Sequence, residues 1–234
     1  MNFLIVGAGA IGCLVGGKLA QHGHDVTLVG RPYFAQQVHE NGLTVVASGQ
    51  RQIVNNLTAV GSIAAAAETM DKMLEYVAIV TVKGYDTETV CHELQAAQMM
   101  PACLLSLQNG VGNEILLAEY FGQDRVIAGV INTPVSVDAP SVITIEKAQY
   151  AIGLSSVSPD KNSRTEEIYQ ALKKAGFEPR DYPDYRSLKW TKLLMNMMGN
   201  ASSAILDAPP QQTFAHDHVV DMEIAAWREA LAVM

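Results

Sequence analysis

NFLIVGAGAIG, Asn2 to Gly12, opens the chain, and its reading decides the fold. A short apolar run, Asn2–Val6, leads into a GxGxxG, and helical spacing follows over Ala10–Gln21. In this strand–turn–helix context Gly7 permits the tight turn and Gly9 lets the backbone approach a pyrophosphate. Gly12 lets the helix pack closely on the strand. The helix start then offers free N–H groups and a partial positive charge to phosphate. A glycine-rich turn in some other sheet protein is the alternative. Placement directly between a strand and a helix favours a dinucleotide site formed by Gly7, Ala8, Gly9, Ala10, Ile11 and Gly12.

Outward from the loop, elements alternate in kind. Asp25–Val29, Tyr76–Val82, Cys103–Leu107 and Arg125–Ile131 are apolar runs of strand length, and Asp86–Ala96 and Gly112–Tyr120 have helical spacing between them. Buried strands alternating with helices predict βαβ units around a parallel sheet. Val135–Leu154 has period-two character around Pro140, which predicts a hairpin at the far edge of that sheet. Pro159–Arg164 is polar and turn-rich, Thr165–Ala175 is helical with Gly176 as its stop, and Phe177–Pro179 is briefly extended. After Asp181–Asp184 no strand candidate occurs. Arg186–Leu206 reads as one long helix, Pro209-Pro210 breaks it, and His218–Met234 reads as another. The expectation is an α/β fold: a Rossmann dinucleotide-binding domain over 1–182 with a mainly parallel sheet, then an all-α domain over 183–234. The helical pattern runs to Met234 without a cap, so the second domain is either very small or incomplete. Trp227 and Leu231 are then expected to leave apolar surface that needs a cover, such as a second copy in a homodimer.

Composition narrows the class. The 234 residues carry a net charge of −8, with 49% apolar and only 6% aromatic residues. That excludes disorder, and it lacks the basic stripe and stacking platforms of a nucleic-acid binder. It also lacks a polybasic face for anionic membranes. No apolar run reaches the ~18 residues of a membrane span. Cys13, Cys91 and Cys103 are sparse and odd in number, with no CxxC, which fits a reducing compartment. A cytoplasmic protein is expected.

The end of the second strand bears on which dinucleotide binds. An NAD site commonly places an acid there for the ribose hydroxyls, whereas this chain has Leu28-Val29-Gly30-Arg31. Arg31 can grip a 2′-phosphate with its planar fork, so NADP(H) is expected; an ordinary exposed arginine is the alternative. Ligands of such sheets lie across the carboxyl ends of the strands. Lys83 in Lys83-Gly84-Tyr85-Asp86-Thr87 and Asn109 in Gln108-Asn109-Gly110 fall there. Each is a candidate for both cofactor and substrate, against a reading as ordinary turn chemistry. Lys192, Asn196 and Asn200 are spaced i, i+4, i+8 in a helix of Leu, Met and Gly, so they share one face. A buried stripe of an ammonium and two amides needs a partner, and an oxyacid substrate supplies one; a helix–helix network or a solvent-facing stripe does so too. His216-Asp217-His218 with Asp221 lacks the spacing of a metal site, and no metal is expected.

Together, GAGAIG at Gly7–Gly12, Arg31, VKGYDT at Val82–Thr87, QNGVGNE at Gln108–Glu114 and KWTKLLMNMMGNASSAI at Lys189–Ile205 resemble the ketopantoate reductase (2-dehydropantoate 2-reductase) family. The motifs occur in the family's order, and the long helical one is the most specific. The resemblance implies a Rossmann domain, a helical domain and an active site in the cleft between them. It implies NADPH-dependent reduction of 2-dehydropantoate to pantoate, a step toward pantothenate and coenzyme A. By position Lys192 corresponds to the catalytic lysine, and Asn109 to the asparagine beside nicotinamide and substrate. Lys83 corresponds to the strand-end lysine, Asn196 and Asn200 to the substrate-holding asparagines, and Arg31 to the reader of the 2′-phosphate. The resemblance implies that family members extend beyond the position of Met234 and supply there further helices, a serine and a glutamate, none of which can be assigned in this sequence. Ile145-Glu146-Lys147 also replaces a His and a Gly that the family often shows. Reduction of another 2-oxo acid, or NADP(H) sensing without turnover, are the competing expectations.

Overall fold

The computed structural model of the chain describes residues 1–71, 73–160 and 164–234, so the turn expected over Pro159–Arg164 lies partly outside the described residues. Along the chain run β1 (Asn2–Val6), α1 (Ala10–Gln21), β2 (Asp25–Val29), α2 (Pro32–Asn41), β3 (Leu43–Ala47), β4 (Gln50–Val54), β5 (Thr58–Val60) and α3 (Ile63–Thr69). Then come β6 (Tyr76–Val80), α4 (Thr87–Ala96), β7 (Cys103–Ser106), α5 (Asn113–Phe121), β8 (Val126–Ile131), β9 (Val135–Ala139), β10 (Val142–Ile145) and β11 (Ala151–Ser156). The last elements are α6 (Thr165–Lys174), β12 (Glu178–Asp181), α7 (Tyr185–Leu206), α8 (Pro210–Thr213) and α9 (Asp217–Val233).

The main sheet has the order β12-β11-β8-β7-β6-β1-β2-β5. Its pairs are parallel except β8 with β11. Successive residues of β1 go to opposite faces: Phe3 and Ile5 join one core, Leu4 and Val6 the other. Both faces are covered, which is why the strand is apolar without alternation. The sheet runs outward from β1 through β2, then returns to β6 on β1's other side. That reversal puts a crevice at the carboxyl ends of β1 and β6.

The predicted hairpin exists but not where the sequence pattern put it. β9 and β10 pair antiparallel, yet β10 pairs with β3, in a second sheet of order β4-β3-β10-β9. The far edge of the main sheet is β12 instead. The physical reason lies in α1, which is buried on nearly all sides and so needs apolar cover on both faces. The main sheet supplies one face, and β3, β4, β9 and β10 supply the other. β3, β4 and β5 fall in a stretch with no sequence prediction.

From Tyr185 onward the described residues are helical, but α7 is not one continuous helix. Met198 (ψ 104°) and Gly199 (φ 81°) leave helical geometry and divide it. A Cβ on Gly199 would lie 2.9 Å from the Phe214 ring, so that packing and the left-handed backbone both require glycine. Trp227 of α9 donates its indole N–H to the Leu194 carbonyl at 3.1 Å, so it packs on α7 rather than standing exposed as expected. Leu231 does stand out, 53% exposed.

Candidate active site at the strand ends

The phosphate loop is built by its own backbone. The amides of Gly7 and Ala8 both donate to the Val29 carbonyl, at 3.0 and 2.9 Å, tying the turn to the end of β2. Thr81, just past β6, donates its hydroxyl to the Gly7 carbonyl at 2.6 Å. A Cβ on Gly12 would fall 2.1 Å from that same carbonyl, so only glycine lets α1 start this close to the turn. At Gly9 a Cβ would meet nothing within 4 Å. The backbone there borders open space, beside the first-turn amides of Ala10, Ile11 and Gly12, which have no intrahelical acceptor. That arrangement fits a pyrophosphate. Cys13 lies just behind; burial pushes its thiol up to about 12, so it is an inert core group. Arg31 is exposed at the carboxyl end of β2, where α2 begins.

The two strand-end loops carrying Lys83 and Asn109 are clamped together. Buried Gln108 donates its side-chain amide to the Val82 carbonyl at 3.2 Å and to the Thr87 hydroxyl at 2.8 Å. Thr87 in turn donates to the Gly84 carbonyl at 2.8 Å and Asn113 Oδ1 at 3.2 Å. Asn113 donates back to the Asn109 carbonyl at 3.1 Å. With the backbones so fixed, the side chains of Lys83 and Asn109 are exposed. Three buried polar side chains, Gln108, Thr87 and Asn113, are thus spent on holding the two loops.

α7 crosses the carboxyl end of β8 and brings Lys192 to it. The Lys192 ammonium donates to Oδ1 of Asn132, the residue following β8. Burial lowers its pKa from the usual lysine value. A cleft of about 180 Å³ adjoins it, lined among others by Val130, Asn132, Tyr182, Leu188 and Thr191. A larger hollow, about 430 Å³, lies at the opposite end of the sheet between Asn2, Asp25 and Thr58. It contains none of the predicted site residues.

The expected stripe requires two corrections. Lys192 and Asn196 lie one turn apart on the regular part of α7, both half-buried. Asn200 follows the break at Met198–Gly199 and is exposed, so the three do not form one buried face. The buried ammonium on this helix is Lys189, at 3% exposure. Its Nζ lies 2.8 Å from Oε1 of Glu114, itself 1% exposed, and donates a 2.6 Å hydrogen bond to the Gln108 carbonyl. The Glu114 contact is an ion pair without hydrogen-bond alignment; the aligned bond goes to Gln108. Lys189, Glu114, Gln108 and Thr87 lie inside quoted motifs and Asn132 follows the Arg125–Ile131 strand, yet the sequence pattern singles out none of them.

Among the described residues no group of three or more His, Cys, Asp or Glu side chains is placed to hold a metal. No helix among them is long and apolar enough to cross a membrane.

This geometry has counterparts. Residues 3–158 match the family "Ketopantoate reductase PanE/ApbA", and residues 184–234 match its C-terminal family. A 2-dehydropantoate 2-reductase of Pyrococcus horikoshii is 30% identical over 234 residues, covering 100% of this chain and 73% of that protein. The crystal structure of a PanE/ApbA family ketopantoate reductase from Ralstonia eutropha superposes with TM-score 0.87 at 27% identity, covering 100% of this chain and 74% of that one. D-mandelate dehydrogenase in complex with NADH shares the fold, with TM-score 0.83 at 19% identity over 98% of this chain and 71% of that one.

Proposed function

The chain belongs to the ketopantoate reductase family, and from that premise we propose that it reduces the C2 ketone of 2-dehydropantoate to pantoate with NADPH, a step of pantothenate and coenzyme A biosynthesis. The observation that carries the reading is the placement of Lys192: a half-buried ammonium at the end of β8, beside a cleft and on the side of the sheet where the phosphate loop opens.

Gly7–Gly12 would receive the pyrophosphate, and Arg31 the 2′-phosphate, where an acidic residue would repel it. When bound, the dinucleotide supplies a hydride. The chain's own residues handle charge and position. As the ketone is reduced, negative charge develops on its oxygen. Lys192 donates a proton there, and the lowering of its pKa by burial moves it toward the range of an efficient acid. Asn132 holds the ammonium against the strand end until a substrate oxygen competes for it. Asn109, Asn196, Asn200 and Lys83 supply amide and ammonium donors for the substrate's carboxylate and hydroxyl, with Asn109 and Lys83 also bordering the cofactor. Residues 1–182 form the dinucleotide-binding domain in this reading, and 183–234 contribute the acid.

The test is loss of NADPH absorbance with 2-dehydropantoate and with a panel of other 2-oxo acids, NADH run in parallel. The proposal predicts oxidation of NADPH in preference to NADH, fastest with 2-dehydropantoate. Faster turnover of another 2-oxo acid would move the assignment to that substrate, and binding of NADPH without turnover of any would replace the enzyme by a sensor.

A further inference from the structure

The buried pair Lys189–Glu114 has no part in the chemistry just described, yet it touches both halves of the site. Lys189 precedes Lys192 by three residues, one helical turn on a neighbouring face of α7. Both of its contacts go to the loop that carries Asn109. At one end of that loop it holds the Gln108 carbonyl at 2.6 Å, and at the other it meets Glu114 Oε1 at 2.8 Å, in the first turn of α5. A peptide group is planar, so fixing the Gln108 carbonyl fixes the Gln108–Asn109 plane, and with it the direction in which Asn109 leaves. Asn113, next to Glu114, binds the Asn109 carbonyl from the other side at 3.1 Å. Stability alone does not call for ions here, since a well-packed apolar pair is generally as stable as a buried ion pair or more so. What a charged pair adds is a single permitted register.

We propose that Lys189 and Glu114 are a positioning couple, which locks the Gln108–Glu114 loop to α7 so that Asn109 and Lys192 are held in one fixed relation to each other. The inference rests on the reductase reading, whose roles for Asn109 and Lys192 it deepens, and its test separates the two.

The experiment compares the wild-type chain, Lys189→Met, and the double variant Lys189→Met/Glu114→Met. Thermal stability, NADPH affinity, kcat and amide hydrogen exchange are measured on each. Lys189→Met leaves a buried carboxylate alone and is expected to lower stability, whereas the double variant removes both charges and restores it. A positioning role predicts that kcat of the restored double variant stays about tenfold or more below wild type, with NADPH affinity within about twofold. It also predicts faster exchange in residues 108–113 and 189–196 together. Recovery of kcat along with stability would overturn the positioning role and leave a purely structural pair. Should the wild type turn over no ketone, the reductase reading fails and exchange alone decides. Joint loosening of the two segments then supports the couple, and unchanged exchange in the restored double variant overturns it.

Discussion

The Lys192 ammonium donates to Oδ1 of Asn132, joining the long helical segment to the carboxyl end of the strand β8. One hydrogen bond thus spans the two parts of the chain that the sequence pattern separates. It also places the Lys192 ammonium at the carboxyl ends of the strands, where such sheets bind their ligands. Asn132 is the side chain in hydrogen-bond contact with that ammonium.

In the proposed reaction Lys192 acts as the ammonium, so the rate should be full below its pKa and fall as pH rises through it. Burial has lowered that pKa, which brings the fall into a lower pH range than an exposed lysine would give. Asn132→Asp places a carboxylate beside the ammonium and should move the basic limb of kcat up by about one pH unit. A pH–rate profile of both proteins checks this; an unmoved limb would separate Lys192 from the ionisation that controls the rate.

Arg31→Ala should raise the NADPH Kd about 10- to 100-fold, the value of a charge-assisted hydrogen-bond pair of about 1.5–3 kcal/mol. The NADH Kd should change little. Titrating both cofactors by protein fluorescence gives the comparison, and equal losses for the two would remove Arg31 from 2′-phosphate recognition.

Gly199→Ala forces a Cβ into left-handed backbone and against the Phe214 ring, 2.9 Å away. The backbone term alone costs about 1–2 kcal/mol. For a chain of this length that corresponds to a melting-point drop of roughly 2–8 °C. Calorimetry reads it directly, and an unchanged melting point would mean that α7 can straighten past Asn200.

The parts of the molecule legible in the sequence are those fixed by neighbours along the chain. GAGAIG declares itself because the tight turn, the open face at Gly9 and the 2.1 Å approach at Gly12 all arise within six residues. The apolar strands β1, β2, β6, β7 and β8 declare themselves because both faces of the sheet are covered. β4, reading QRQIV, is mostly exposed and has no apolar signature, and the small sheet that contains it is defined by the need to cover α1. The break in α7 falls at Met198–Gly199, against the Phe214 ring, and a single glycine in MNMMGNASS is too weak a local signal to declare it. Lys189 looks like any surface lysine until Glu114 and the Gln108 carbonyl are brought to it from the loop after β7. Helical spacing correctly brought Lys192 and Asn196 to one face and failed at Asn200, where the helix itself fails.

The most direct test of the account compares wild type with Lys192→Ala in NADPH-dependent reduction of 2-dehydropantoate, with NADPH affinity measured on the same samples. The account predicts that wild type turns over, that the variant loses about 10²–10⁴ in kcat, and that both bind NADPH alike. A variant as fast as wild type would contradict it, since the proton would then reach the ketone oxygen without Lys192.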